Sequence, residues 1–245
     1  MAAYISFQPT DFFSPKIYAG SASAVTVTGL DFQPDMTWTK DRQNTGYHAL
    51  IDAVNGVGKY TQPDNASVQS TVANNCITSF TSDGFVTGTA APSNNSSSSG
   101  IGFISWNWKA NGAGSSNTDG GITSTVSANT TSGVSIVTWT GTGSASTIGH
   151  GLGVAPAMVI LKSTSNGYSW YTWHKGLSSE MNKYVQLDTT GAVATDTSAF
   201  GSTAPTATVF PIGTGNAGTN SSGHTYVAYC FASIKGYSKF GSYEG

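Results

Sequence analysis

Charged side chains are scarce in this sequence: Asp, Glu, Lys and Arg make up 9% of its 245 residues, against about 25% in an ordinary globular protein. The formal net charge is only -2, and no segment concentrates Lys or Arg. We therefore expect no electrostatic binding of nucleic acid or of an anionic membrane surface. Polarity comes instead from Ser, Thr, Asn and 30 glycines. Such short side chains lose little rotamer entropy on ordering, which favours rigid extracellular β-structure.

Cysteines and long apolar runs are also few. Cys76 and Cys230 fall at non-equivalent positions of the repeat described below, so we expect two small buried thiols rather than a disulfide. The longest apolar run, 155–161, is too short to cross a bilayer and contains Pro156. Residues 1–4 lack a basic segment followed by an apolar one, so no secretory signal is predicted. We expect a soluble protein that is made in a cytoplasm and does not insert into a membrane.

Aromatic residues are plentiful, and they distinguish this chain from a disordered one. Phe, Trp and Tyr make up 11% of the residues, whereas disordered chains are poor in aromatic and β-branched side chains. The rings recur in runs whose apolar residues alternate with a period of two, and Gly, Pro, Asn or Asp bounds each run. No segment combines a 3.6-residue apolar period with helix caps. The sequence therefore predicts an all-β protein with a hydrophobic core.

The chain contains one pattern twice, at a separation of 122 positions (for example 151 − 29). The matching residues are Gly29 and Gly151, Leu30 and Leu152, Pro34 and Pro156, and Lys40 and Lys162. This internal repeat predicts two tandem β-sandwich lobes, jelly-roll-like in architecture, with extended terminal arms. The predicted boundaries are an N-terminal arm at 1–15, repeat 1 at 16–110, a Gly/Ser/Asn/Thr-rich linker at 111–136, repeat 2 at 137–235 and a C-terminal aromatic arm at 236–245. Such a linker would be the first site of proteolysis.

The last strand of each copy suggests which side of its sheet is buried. Large residues alternate with smaller ones at matching positions, namely Ile104, Trp106 and Trp108 in the first copy and Val227, Tyr229 and Phe231 in the second. Because these positions are large in both copies, we expect this face to point into the core.

No pattern of residues predicts catalysis or a bound metal. The four histidines lie apart from one another and from Cys, so no zinc site is predicted. The aspartates stand beside turn residues, where Asp caps backbone amides; those considered are Asp35, Asp41, Asp52, Asp83, Asp188 and Asp196. We therefore expect no catalytic residue, no cofactor and no enzyme. Two alternatives stay open, a glycan depolymerase built on a pair of carboxylates and a calcium ion bound by loop oxygens.

Several motifs resemble a known family. Phe32-Gln33-Pro34-Asp35, Ser82-Asp83-Gly84-Phe85, the segment 226–231 and the ending 236–243 are similar to a repeat of tail-fibre and related virion proteins from tailed phages of marine bacteria, notably cyanophages. The resemblance extends over nearly the whole chain. It implies a structural or host-attachment role in a virion that is assembled in the host cytoplasm, and it supplies no catalytic residues.

Two functions fit this resemblance. The first is a tail-fibre or tail-associated component, a homo-oligomer with other virion proteins as partners, which binds a host-surface glycan by ring stacking. The predicted receptor-binding rings are Tyr47, Tyr168, Trp170 and Tyr171; packing in the core is the alternative for each. The second function is that of a head decoration or adaptor-like virion protein without receptor binding.

Aromatic residues also crowd both ends of the chain. Since exposed apolar patches mark interaction surfaces, we predict an assembly interface there. Its residues are Tyr4, Phe7, Phe12, Phe13, Tyr237, Phe240 and Tyr243. The alternative is that each arm folds back on its own lobe.

Overall fold

The computed structural model describes residues 6–72, 76–89, 101–215 and 218–243. Their regular structure is β-strand, apart from one short 3-10 helix at Pro9–Asp11, so the predicted all-β class is confirmed. None of the described residues forms a helix that is long and apolar enough to span a membrane. The chain divides into two compact units. The N-terminal unit contains Phe7–Asp64 and Gln69–Ala113, and the C-terminal unit includes Gly114–Gly245 and the short segment Asn65–Val68.

The N-terminal unit is a sandwich of two antiparallel sheets and a small ribbon. Its strands are β1 (Phe13–Ala19), β2 (Thr26–Val27), β3 (Met36–Asp41), β4 (Ala49–Asp52), β5 (Lys59–Tyr60), β6 (Ser70–Thr71), β7 (Ile77–Thr81), β8 (Gly84–Thr87) and β9 (Gly102–Trp108). The sheet orders are β1-β9-β3-β4, β2-β8-β7 and β5-β6. The two larger sheets meet through their side chains: the ring of Tyr18 in β1 lies edge-on to that of Phe85 in β8, with centroids 5.7 Å apart.

The C-terminal unit packs a two-stranded sheet on an eight-stranded one. Its strands are β10 (Ser115–Asn117), β11 (Ser124–Asn129), β12 (Val134–Thr140), β13 (Ser146–Gly149), β14 (Met158–Ser163), β15 (Tyr171–His174), β16 (Lys183–Gln186), β17 (Ala194–Thr195), β18 (Val209–Ile212) and β19 (Thr225–Phe231). The sheet orders are β10-β11-β12-β19-β14-β15-β16-β17 and β13-β18. Trp139 of β12 contacts Phe210 of β18, with ring centroids 5.9 Å apart, and both belong to the unit's core.

Four strands of each unit follow the same plan. The order β1-β9-β3-β4 of the first unit corresponds to β12-β19-β14-β15 of the second. The registers also correspond, because Met36 pairs with Asp52 and Met158 pairs with His174, each residue 122 positions from its counterpart. The two units therefore share strand order and register, while the origin of the repeat in a duplication stays a prediction.

The repeated Gly-Leu pair has a backbone reason. Gly29 has a φ of 79° and Gly151 a φ of 69°, in the left-handed region that is costly for any residue with a Cβ atom. Leu30 and Leu152 follow and are buried at 1% and 2% exposure. Each pair thus turns the chain after an edge strand and places a leucine in the core.

The predicted linker is wrong. The segment 111–136 contains β10 and β11, which extend the large sheet of the C-terminal unit. Val126 joins that unit's core at 7% exposure, so the segment is folded and proteolysis is no longer expected to begin there. Its composition misled because Ser and Thr serve in strands as well as in flexible linkers. The arm predicted at 1–15 is also shorter, since β1 begins at Phe13.

The predicted burial of the last strands is wrong for the first unit. In β9 the buried residues include Ser105 and Asn107, whereas Trp106 and Trp108 are half-buried. The inward face is hydrogen-bonded: Asn107 Nδ2 donates to the carbonyl of Ser14 at 2.9 Å. Alternation separates the two faces of a strand but does not tell which one points inward, and small polar residues can be buried when they are hydrogen-bonded.

In the second unit both faces of the last strand are buried. Ala228 and Cys230 of β19 belong to the hydrophobic core, while Val227 and Tyr229 on the opposite face are also buried. Both cysteines of the chain are buried thiols, as the sequence predicted. Burial raises the pKa of the Cys230 thiol to about 12.

A matched pair of leucines tests this assignment of the C-terminal core. Leu161 is completely buried, and Leu187 is 41% exposed. We expect Leu161→Ala to lower the free energy of unfolding by about 2–5 kcal/mol, since it removes buried methyl groups and leaves a cavity. Leu187→Ala should stay within about 0.5 kcal/mol of the parent. The measurement is the midpoint of urea unfolding, and equal losses from both variants would contradict the assigned core.

Candidate functional site

One exposed tyrosine lies in the same loop of each unit. The first tyrosine loop, 42–48, joins β3 to β4, and the second tyrosine loop, 164–170, joins β14 to β15. Tyr47 is 56% exposed and Tyr168 is 38% exposed. Both rings therefore offer an apolar surface to solvent, which a ring that stacks on a ligand requires.

Two other rings predicted for receptor binding are buried, and that prediction is wrong for them. Trp170 is completely buried and stacks on Tyr229 with ring centroids 6.4 Å apart. Tyr171 packs on Tyr184 at a centroid distance of 4.8 Å. Turn residues in the sequence mark where the second loop begins but not where it re-enters the core, which happens between Tyr168 and Trp170.

A lysine at the equivalent place in each unit holds the tyrosine loop. Lys40 Nζ donates to the carbonyls of Asn44 at 3.2 Å and Gly46 at 2.5 Å. Lys162 Nζ donates to the carbonyls of Tyr168 and, at 3.1 Å, of Ala66. The repeated lysine is visible in the sequence, but its role is not. The feature that could have indicated it is a lysine near the end of the corresponding strand in both copies, in a chain that has few charged residues.

Lys162 is buried more deeply than a lysine usually is. Its side chain has no exposed surface, and burial lowers the pKa of its ammonium group to about 8, an effect that the Asp188 carboxylate opposes. The protonated and neutral forms can both donate hydrogen bonds to the loop carbonyls. The buried ammonium group of Lys162 therefore anchors the second tyrosine loop from inside the protein.

A short polar side chain orders the beginning of each tyrosine loop. Asp41 Oδ1 accepts hydrogen bonds from the backbone N–H groups of Gln43 at 2.8 Å and Asn44 at 3.1 Å. At the equivalent place Ser163 Oγ accepts from the N–H of Asn166 at 3.2 Å. Both loops are thus fixed at their start and beneath their tyrosine, so that binding would cost little ordering entropy.

Polar side chains lie together in the second tyrosine loop. Asn166 Nδ2 is 2.8 Å from His224 Nδ1, and Ser165 Oγ is 3.2 Å from the same ring nitrogen. Ser165 Oγ also accepts from the N–H of Thr225 at 3.0 Å. The amide of Asn166 and the hydroxyl of Ser165 thus lie two and three positions before Tyr168 in the chain, and the imidazole of His224 is within hydrogen-bond distance of both. These are groups that can exchange hydrogen bonds with sugar hydroxyls.

The first tyrosine loop carries the single arginine of the chain, Arg42. Its side chain is exposed, and among the described residues no carboxylate forms an ion pair with its guanidinium. The next residue is fixed, since Gln43 Oε1 accepts from the N–H of Gly102 at 2.5 Å. An open guanidinium is suited to bidentate binding of a carboxylate or a similar oxyanion. The equivalent residue of the second loop is the neutral Thr164.

The aspartates that sequence analysis assigned to turns do cap backbone amides. The N–H donors are those of Ala110 for Asp35, Gln43 for Asp41, Val54 for Asp52, Gly29 for Asp83, Trp170 for Asp188 and Ser198 for Asp196. The capping prediction is confirmed for all six. Within the described ranges no three His, Cys, Asp or Glu side chains come together as a metal site would require.

Comparison with known proteins identifies a family. A family model described as a domain of unknown function, DUF7483, matches residues 8–245. This chain belongs to the DUF7483 family. No curated protein and no solved structure matches it. Because the match includes both units, the DUF7483 domain contains both sandwiches rather than one.

Most of the terminal aromatic residues of this DUF7483 chain contact their own unit. The rings of Phe7 and Phe12 meet edge-on at 5.0 Å, and that of Phe13 lies 5.0 Å from Trp108. In the C-terminal unit the ring of Phe240 lies 6.4 Å from that of Phe231. The described arms therefore fold back, which was the alternative to the predicted assembly interface.

The extreme C-terminus differs from the rest of its arm. Tyr237 is half-buried, whereas Tyr243 is 94% exposed; Tyr4, predicted for the same interface, lies outside the described residues. Beside this end runs a groove of about 550 Å³, with Pro156, Trp173 and Ser242 in its walls. Of the predicted interface residues, Tyr243 is the one that the structure leaves almost fully open.

The buried lysine predicts a pH dependence. Unfolded chains keep a lysine proton up to about pH 10.4, whereas folded Lys162 releases it near pH 8. Between these values the unfolded state binds more protons, so the contribution of Lys162 to the free energy of unfolding rises with pH. We expect the difference in unfolding free energy between the parent and Lys162→Met to grow in favour of the parent from pH 8 to pH 10. Urea unfolding measures it, and since both proteins contain the same tyrosines, the difference isolates the lysine. A difference that does not change with pH would contradict the lowered pKa.

Proposed function

We propose that this DUF7483 protein is a phage virion component that binds a host-surface glycan through its two tyrosine loops. The observation that supports it is one exposed tyrosine in the same loop of each unit, Tyr47 and Tyr168, with a lysine hydrogen-bonded to the loop carbonyls in both cases. A rigid loop that presents a flat ring is a low-entropy means of contacting a sugar face.

The polar groups of the two loops suit different parts of a glycan. In the second loop the cluster of Ser165, Asn166 and His224 offers hydrogen bonds to neutral hydroxyls. In the first loop the open guanidinium of Arg42 offers a charged contact to an acidic substituent. One chain thus carries two weak sites, and a homo-oligomer would multiply them into avid attachment to a repetitive polysaccharide.

The proposed place in the virion is supported by the resemblance to tail-fibre proteins of tailed phages and by the charge-poor, aromatic-rich composition. We propose a tail-fibre or tail-associated position, with other virion proteins as partners and assembly in the host cytoplasm. We also propose that the protein is not an enzyme. What supports this is that six aspartates have a structural role as caps of backbone amides.

A second function, head decoration or adaptor without receptor binding, needs only a contact with neighbouring virion proteins, and one observation is consistent with it. Tyr243 is 94% exposed at the chain end, and an exposed ring of this kind suits a contact with a neighbouring virion protein. Immunogold labelling of intact particles separates the two functions. Label at tail tips supports attachment, and label confined to heads supports decoration.

Substitution of the two tyrosines tests glycan binding directly. We expect Tyr47→Ala and Tyr168→Ala each to weaken binding to host-envelope polysaccharide about 2- to 12-fold, since an aromatic contact is worth about 0.5–1.5 kcal/mol beyond its buried area. The measurement is biolayer interferometry on immobilised polysaccharide. Tyr47→Phe and Tyr168→Phe are the matched controls, because they keep the ring and should stay close to the parent. Alanine variants that melt like the parent and bind equally well would overturn the proposed site.

A further inference from the structure

Three Asn-Gly pairs occur in the chain, Asn55-Gly56, Asn111-Gly112 and Asn166-Gly167. In such a pair the glycine nitrogen can attack the side-chain carbonyl carbon of asparagine, because glycine has no Cβ to obstruct the approach. The N–Cγ bond forms, the Cγ–Nδ2 bond breaks, and ammonia leaves with the proton that the backbone nitrogen loses. Water then opens the cyclic imide to aspartate or isoaspartate. The reaction needs a mobile glycine N–H and an accessible amide.

Hydrogen bonds protect the first pair from this reaction. Asn55 Nδ2 donates to Asp52 Oδ2 at 2.7 Å, and the N–H of Asn55 donates to Asp52 Oδ1, also at 2.7 Å. The attacking nitrogen is occupied as well, since the N–H of Gly56 donates to the carbonyl of Asp52 at 3.1 Å. Attack would break charge-assisted hydrogen bonds, which are among the stronger ones in proteins.

The second pair is held by a buried carboxylate. The N–H of Gly112 interacts with the carboxylate of Asp35, which also accepts from the N–H of Ala110 at 2.7 Å. Asp35 is 3% exposed. The nitrogen of Gly112 is therefore directed at an acceptor in the protein interior and away from the side chain of Asn111.

In the third pair the N–H of Asn166 donates to Ser163 Oγ at 3.2 Å, but the attacking nitrogen is not held. Gly167 is exposed, and within the described residues its N–H has no hydrogen-bond acceptor. The leaving nitrogen, Asn166 Nδ2, is 2.8 Å from His224 Nδ1. Its partner is a ring nitrogen and not a carboxylate, so the amide is not held by the charge-assisted hydrogen bond that protects Asn55.

We propose that Asn166 is a deamidation site of the folded protein and that Asn55 and Asn111 are protected by their hydrogen bonds. The change adds a negative charge beside His224, and isoaspartate also lengthens the backbone of the second tyrosine loop. Asn166 lies two positions before Tyr168. The effect of this change on glycan binding rests on the proposed function, whereas the modification itself does not.

Peptide mapping by mass spectrometry tests the proposal. The intact protein is incubated at neutral to mildly alkaline pH, and conversion is followed at all three asparagines. We expect conversion at Asn166 to be at least about tenfold faster than at Asn55, because hydrogen bonds to a charged group must be broken at Asn55. In urea the three pairs should react at similar rates. Equal rates in the folded protein, or slower conversion at Asn166 than at the other two, would overturn the proposal.

Gly167→Ala is the matched variant. An added Cβ would lie 3.3 Å from the carbonyl oxygen of Ala66, a contact that a small shift relieves, and Gly167 does not have a left-handed backbone. We expect this variant to melt close to the parent and to convert at Asn166 at least about tenfold more slowly, since its methyl group obstructs the attack. Undiminished conversion in Gly167→Ala would refute the mechanism. Glycan binding is read out separately, with Asn166→Asp as the product mimic, so its failure would leave the mapped modification intact.

Discussion

Pairing between distant parts of the chain is the constraint on which both units depend. In each unit the last strand inserts between two earlier ones: β9 lies between β1 and β3, and β19 lies between β12 and β14. The pairing of β1 with β9 joins Phe13 to Trp108, so the sheet cannot be completed until almost the whole unit has been synthesised. Such non-local contacts make folding slow. They also fix the ends of β3 and β14, from which the two tyrosine loops leave.

In a chain with so few charged residues, several of them have a defined structural task. Asp41 and Asp83 have lowered pKa values. Burial raises the pKa of Asp41, but hydrogen bonds from Asn44 and neighbouring amides lower it by more. At Asp83, hydrogen bonds from the Gly29 and Asp31 amides lower the pKa. Lys40 and Lys162 bind loop carbonyls. Burying an ammonium is costly unless its hydrogen bonds are satisfied, and the lowered pKa of Lys162 reflects that cost. Short hydroxyl and amide side chains, rather than salt bridges, complete the polar network of the loops.

Local chemistry in the sequence predicted local structure well. Alternation with turn residues predicted strands, aspartates beside turns predicted caps, and a Gly-Leu pair marked the same turn in both units. The predictions that failed concern burial and strand pairing, which depend on residues distant in the sequence. Whether Trp170 faces solvent or Tyr229 is decided by the opposing side chains, and whether the segment after Ala113 is linker or strand is decided by β12, with which β11 pairs. The loop-holding role of Lys162 likewise appears only when the loop carbonyls are in place.

Under the proposed function, equal scaffolds with unequal loops would let one domain bind a glycan of mixed chemistry. The strand ends, the lysine and the exposed tyrosine are common to both loops, so the geometry of ring presentation is set by the shared sheet. The differences lie in residues outside the strand pairing of that sheet. Arg42 faces solvent where the other copy has Thr164. The Ser165–His224 pair has no counterpart of the same chemistry in the first loop. Under that proposal, substitution at such positions would change the ligand chemistry while the pairing that supports the loop is kept. A repeated unit can therefore diverge in specificity without losing its fold, provided that the lysine and the Gly-Leu turn stay unchanged.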